Sequence, residues 1–286
     1  MEGLGVPLIT PFDEDGRIDE QRLREVAGWV VDRGVDFLVP CGSTSEAPLL
    51  SPDERARVIE VVADATDVPV LAGTGFEGFD QTVAATERAA EVGADAALVV
   101  TPYYYGHDGE TLAAYYRDVA DVADVPVYLY SVPKFTDVAL APRTVESLAT
   151  HDGIAGMKDS SGDLAAFQRS RRLAPDLDLL VGSGGVFGHA LAAGADGAIL
   201  ALANVAPEPA SAVLDRAAAG DVEGALSLAA DLVALNRAVT AEYGIPGLKA
   251  AMRERGAPAG YPRRPFRPVG DEARQELAEL IADAGL

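Results

Sequence analysis

Lysine is almost missing from this chain. Three of its 286 residues are lysine (Lys134, Lys158 and Lys249), and Lys+Arg total 23 beside 45 Asp+Glu. The net charge of −22 sets up a field that repels nucleic-acid phosphate and anionic lipid, so neither is expected as a partner. Cysteine is scarcer still. Cys41 stands alone, which excludes an intrachain disulfide. No long hydrophobic run is present either. The longest uncharged apolar stretch, Gly197 to Ala206, falls well short of the roughly 20 residues a membrane helix needs. Met1-Glu2-Gly3 has no basic or apolar leader character. His107, His151 and His189 lack metal-ligand spacing, so no metal is expected. Together these absences predict a soluble, reduced, cytoplasmic protein.

What is there points to a large folded core. Hydrophobic residues make up 49% of the chain, too many for disorder despite the charge. An acid excess of this size goes beyond the magnitude of roughly 2–8 that suits the solubility of a small domain. With so few lysines, it predicts a halophilic protein whose stability depends on molar salt; the alternative is a mildly acidic mesophilic protein with an Arg-rich genome.

Short apolar runs recur without clean alternation, as expected of parallel strands buried on both faces. They predict strands at Gly5–Thr10, Phe37–Pro40, Val68–Ala72, Ala96–Thr101, Val125–Tyr130, Ile154–Lys158, Leu179–Val181 and Gly197–Ala201. Amphipathic stretches such as Glu20–Arg33, Pro52–Ala65, Phe79–Val92 and Thr111–Ala123 lie between them. The punctuation repeats as well. Gly-Val-Asp or Gly-Ala-Asp at 34–36, 93–95 and 194–196 each closes a helix and leads into a strand. Eight such units predict a (β/α)8 TIM barrel. After the eighth strand only helical pattern remains, at Pro207–Ala219, Asp221–Tyr243, Pro246–Arg255 and Asp271–Ala284. The reading divides the chain into a barrel over 1–219 and a C-terminal helical extension over 220–286.

The active site of such a barrel lies at the C-terminal ends of its strands. Those positions supply Thr10, the run Gly42-Ser43-Thr44-Ser45-Glu46, Gly73-Thr74-Gly75, Tyr103-Tyr104-Tyr105, Tyr130-Ser131, Lys158-Asp159-Ser160, Gly182-Ser183-Gly184-Gly185 and Asn204. Lys158 is the sharpest of them. Burial favours a neutral amine, the nucleophile that forms a Schiff base with a carbonyl compound. The alternative is an ammonium paired with Asp159. Lys134, in a loop, and Lys249, on a tail helix, read as solvated charges. Tyr130 is either a proton relay or a core aromatic. Ser43 and Thr44 either cradle a carboxylate on consecutive backbone N–H groups or simply cap a helix. Ser183 and Gly184 lie where barrels often bind phosphate. Cys41 reads as core, since no histidine is placed to activate it.

Taken together these motifs resemble the dihydrodipicolinate synthase / N-acetylneuraminate lyase family of pyruvate-dependent class I aldolases. The resemblance runs along nearly the whole chain. It rests on Pro7 to Phe12, Gly42 to Glu46, Pro102-Tyr103-Tyr104, Tyr130-Ser131-Val132-Pro133 and Gly156-Met157-Lys158-Asp159. It implies that Lys158 forms the Schiff base, with no separate cofactor, and that Tyr130 shuttles protons. It also implies that Thr44 with Ser43 binds the pyruvate carboxylate, and that Tyr104 completes a hydroxyl relay from a neighbouring subunit of a homotetramer, a dimer of dimers.

Ser131 and Ser45 depart from the Asn and Gly usual in the family, and Phe135 stands where its synthases carry an arginine for the second substrate's carboxylate. Phenylalanine cannot make that contact. The triple tyrosine and Gly260-Tyr261-Pro262-Arg263-Arg264-Pro265 instead resemble archaeal 2-keto-3-deoxygluconate aldolases. The expected reaction is reversible cleavage of 2-keto-3-deoxygluconate or its 6-phosphate to pyruvate and glyceraldehyde or its 3-phosphate, as in Entner-Doudoroff carbohydrate metabolism. Arg237 is a candidate phosphate contact. The alternatives are a dihydrodipicolinate synthase with an altered carboxylate clamp, or a silent barrel used for binding.

Overall fold

Eight short parallel strands curl into one barrel in the computed structural model, which describes residues 1–286. They are β1 (Gly3–Val6), β2 (Phe37–Leu38), β3 (Leu71–Gly73), β4 (Ala96–Val100), β5 (Val127–Ser131), β6 (Ile154–Asp159), β7 (Asp178–Val181) and β8 (Gly197–Ile199). The order β2-β1-β8-β7-β6-β5-β4-β3 brings the two ends of the sheet together. A parallel bridge between Leu38 and Val70 joins them, and the Leu38 N–H donates to the Pro69 carbonyl at 2.9 Å. Helices follow the strands around the outside. Several start on a side-chain cap, as where Ser51 and Glu54 close a reciprocal capping box.

Period-2 alternation divides the strand residues between two cores. On β5, Val127 and Leu129 face the helices, while Tyr128 and Tyr130 point into the barrel. The interior cluster also holds Phe37, Leu71, Leu98, Leu180 and Ile199. On β6, Met157 joins the outer core, which turns Lys158 toward the interior.

The predicted fold class is the observed one. Two element boundaries differ in ways that matter. β1 ends at Val6 rather than running on to Thr10, because the segment beyond it is held by a side chain. Asn204 donates to the Pro7 carbonyl at 3.0 Å and accepts from the Ile9 N–H at 3.2 Å. The stretch predicted as one helix over Asp221–Tyr243 is broken. Helices at Val222–Asp231 and Val233–Arg237 are followed by a wide π turn over Ala238–Glu242. There Thr240 Oγ1 donates back to the Asn236 carbonyl at 2.6 Å, a bond that bends helices. Two more helices, Gly244–Glu254 and Asp271–Asp283, complete the chain. No helix is long and apolar enough to cross a membrane.

Candidate active site

Lys158 and Tyr130 are paired in register on neighbouring strands and point the same way. The Lys158 Nζ lies 4.3 Å from the centre of the Tyr130 ring. Both side chains are buried, at 4% and 5% exposure. The chain leaves room for the lysine only because glycine follows β7. A Cβ at Gly182 would come within 2.9 Å of Lys158 Cε and would overlap the Ser160 hydroxyl.

The pairing of Lys158 with Asp159 is not observed. Adjacent residues of a strand face opposite sides. The Asp159 carboxylate instead accepts the Ser161 N–H at 2.8 Å, and burial raises it above the ordinary carboxylate range. Lys158 therefore enters the barrel without a counter-ion.

Ser43 and Thr44 sit on a single 3-10 turn, Ser43–Ser45, between Cys41 and Glu46. Both flanking residues adopt left-handed backbone, with φ of 59° and 60°, a conformation that costs a non-glycine residue about 1–3 kcal/mol. The surroundings hold the turn in place. Ser45 Oγ donates to the Leu8 carbonyl at 2.5 Å, and the Ser45 carbonyl accepts from Thr10 Oγ1 at 2.9 Å. The serine that departs from the family's glycine thus ties the turn to the segment after β1. Ser131, the other departure, accepts the Leu140 N–H at 3.2 Å. Ser43 Oγ lies 3.5 Å from the Tyr130 hydroxyl.

These groups open on one cavity of about 430 Å³. Lys158, Tyr130, Ser43, Thr44, Ser183 and Gly184 all line it. The structure does not bring Arg237 there, and Tyr104, expected to reach the site of a neighbouring subunit, lies outside its own. Tyr104 is 76% exposed on the β4 loop, where its N–H donates to Glu77. Arg237 is exposed too, because its helix turns the preceding residue, Asn236, inward. Sequence reasoning missed Asn236, whose amide occupies the space that a side chain at Gly184 would need. Lys134, read as a solvated loop charge, is exposed as expected, on a short helix rather than a loop, and it also borders the cavity. An adjoining cavity of about 500 Å³ shares Ser43 and Tyr130 and reaches Cys41, whose thiol burial pushes up to about 12. That thiol is no nucleophile at neutral pH. No group of three or more His, Cys, Asp or Glu side chains is gathered to hold a metal ion.

The expectation for Lys249 is overturned. It is wholly buried, not solvated, and it supports the Ser43 turn from below. Its ammonium meets Glu46 Oε1 at 2.5 Å and donates to the carbonyls of Thr10 and Tyr261 at 2.7 and 2.9 Å. The other Glu46 oxygen accepts the Arg263 N–H at 2.8 Å. The tail is thereby tied to the turn that presents Ser43 and Thr44.

An unpaired amine, a phenol beside it and hydroxyls on a fixed turn can add to a carbonyl, move protons and hold an anionic group. Proteins of known class carry the same arrangement of chain. Residues 1–284 match the Dihydrodipicolinate synthetase family. An uncharacterized DapA-like lyase of Halobacterium salinarum is 39% identical, over 100% of this chain and 95% of the relative. A 4-hydroxy-tetrahydrodipicolinate synthase of Methanothrix thermoacetophila is 37% identical, over 98% of this chain and 96% of its own. Among solved structures, the dihydrodipicolinate synthase of Acinetobacter baumannii complexed with pyruvate superposes with a TM-score of 0.95 at 31% identity, covering 99% of both chains.

Proposed function

The chain belongs to the Dihydrodipicolinate synthetase family, and on that premise we propose that it is a Schiff-base aldolase that splits a 2-keto-3-deoxy sugar acid into pyruvate and an aldehyde. Enzymes of this family are lyases that work through a lysine–pyruvate Schiff base. The observation that carries the reading here is the Lys158 amine, which enters the cavity with no carboxylate partner and lies 4.3 Å from the Tyr130 ring.

The chemistry follows from the layout. Lys158 Nζ attacks the C2 carbonyl of the sugar acid and water leaves, giving an iminium. Tyr130 takes the C4 hydroxyl proton as the C3–C4 bond breaks, and the electron pair of that bond flows to the iminium. The aldehyde departs. The enamine is protonated at C3 and hydrolysed, releasing pyruvate and the free lysine. Ser43 and Thr44 hold the carboxylate beside C2, and Ser183 with Gly184 bounds the far wall.

A sugar acid rather than aspartate semialdehyde suits the lining. It contains Ser43, Thr44, Ser160, Ser183, Asn236 and Thr240 but no arginine, and Phe135 stands on its rim. 4-hydroxy-tetrahydrodipicolinate synthesis is the second reading, favoured by the Methanothrix relative. Without the arginine, that reaction would have to hold the second carboxylate on Lys134, the other cation in the lining. In the reading proposed here the enzyme is a cytoplasmic homotetramer, to which Tyr104 contributes across an interface, and its acidic exterior is salt-adapted.

Borohydride reduction in the presence of pyruvate, followed by peptide mapping, tests the chemistry. The expected product is a pyruvate adduct on Lys158, and no adduct there defeats the proposal. Rates with glyceraldehyde against aspartate semialdehyde then separate the two enzymes.

A further inference from the structure

The cavity reverses the sign of the molecule around it. In a chain of net charge −22, two of the three lysines line it, and no aspartate or glutamate does. Lys158 is committed to the carbonyl carbon, and the carboxylate beside that carbon goes to the Ser43–Thr44 turn. That leaves one cation in the lining without a task, Lys134.

Its side chain is exposed at the cavity rim and anchored there by one hydrogen bond. Lys134 follows β5 directly, on the short helix Pro133–Thr136. Its Nζ reaches out of that helix to donate to the Thr240 carbonyl at 2.8 Å, on the π turn that breaks the tail helix. An ammonium has three donors, so the bond to Thr240 leaves two free. No carboxylate neutralises the charge. The side chain is held between two separate segments at the rim, which lowers the entropy cost of using it as a binding group. The π turn itself also lends Val239, Thr240 and Ala241 to the cavity wall.

We infer that Lys134 binds a terminal oxyanion, a phosphate ester or a carboxylate, on the aldehyde half of the substrate. This rests on the Schiff-base reading above and adds to it the charge of the second reactant. Lysine acts there as a point charge and does not demand the planar two-oxygen geometry that arginine prefers. It therefore accepts phosphate as readily as carboxylate.

The test is condensation of pyruvate with three aldehydes: neutral glyceraldehyde, glyceraldehyde 3-phosphate and aspartate semialdehyde. Wild type is compared with Lys134→Gln and Lys134→Arg. Lys134→Gln is expected to lower kcat/KM for the anionic aldehydes by at least about tenfold more than for glyceraldehyde, the loss falling on KM, as for one charged hydrogen bond. Lys134→Arg is expected to recover most of it. Whichever anionic aldehyde shows the larger discrimination identifies the oxyanion as phosphate or carboxylate. Equal losses on neutral and anionic aldehydes overturn the assignment, and so does an enzyme that traps pyruvate but condenses it with neither anion. Absence of the pyruvate adduct in wild type would instead overturn the Schiff-base reading, and this one with it.

Discussion

Lys158 and Lys249 are both buried, both lie toward the C-terminal ends of the strands and both face an aromatic ring, yet their surroundings are opposite. The Lys249 ammonium is surrounded by acceptors: Glu46 and the carbonyls of Thr10 and Tyr261. The Lys158 amine has only the Tyr130 ring and the cavity. Burial alone therefore does not mark a nucleophile. A lysine whose protons are all engaged is a strut, and its charge is what holds the turn. A lysine without a partner keeps its nitrogen open to the cavity, where a carbonyl compound can reach it.

The comparison breaks first if Lys158 can be removed without consequence. Lys158→Ala is expected to lower kcat by more than about 10³-fold and to abolish the pyruvate adduct, with the melting temperature little changed. Steady-state kinetics and mass spectrometry check this. Tyr130→Phe removes only a hydroxyl. It is expected to cost about 10²–10⁴ in kcat while Lys158 still forms its adduct, which places the loss on proton transfer rather than on the amine. Lys249→Met should do the reverse. It leaves Glu46 buried and unpaired, at a cost of about 3–5 kcal/mol in urea unfolding. The adduct on Lys158 should persist in whatever fraction stays folded. Adding Glu46→Gln to that variant should return part of the stability.

The sequence makes one of these lysines legible and hides the other, for a physical reason. Lys158 ends an apolar run that reads as a strand, and a residue at the C-terminal end of a barrel strand lies at the mouth where the site is expected. Lys249 sits on a helix in a tail with no repeat to set its register, and its partners Thr10 and Glu46 lie more than 200 residues earlier. Separation along the chain also hid Lys134, whose place depends on a hydrogen bond to a carbonyl 106 residues away, on a π turn that no periodicity announces. Asn236 lies on a five-residue helix, too short for a repeat to set its facing. Ser43, Thr44 and Ser183 were legible because strand ends in a (β/α)8 barrel converge on one mouth whatever the side chains are. Arg237 misled because adjacent helical positions differ by about 100° in direction, so its inward neighbour took the place expected of it.

The smallest expected effect is also the most specific to the contrast, because it reads the proton on Lys249 directly. Burial lowers this lysine to about 8 from its ordinary 10.5, with Glu46 opposing the shift. Between those two values the unfolded chain keeps a proton that the folded chain has released. Stability rises with pH wherever the unfolded state binds more protons, so this group favours folding more strongly as pH climbs through the window, and below about 8 it contributes no slope. Other groups titrate there too. Tyr115 and Tyr243 are both raised to about 12, which gives a slope of the opposite sign once unfolded tyrosines ionise near 10. The comparison must therefore be a difference. Urea unfolding of wild type and of the Lys249→Met, Glu46→Gln double variant, measured at intervals from pH 7 to 10, isolates the pair. The stability of wild type minus that of the variant should stay level up to about 8 and then rise, by no more than about 1.4 kcal/mol per pH unit. A difference that stays level throughout would mean that Glu46 keeps the proton on Lys249 against its burial. The strut would then be a fixed ion pair, and its contrast with the unpartnered amine of Lys158 would be sharper still.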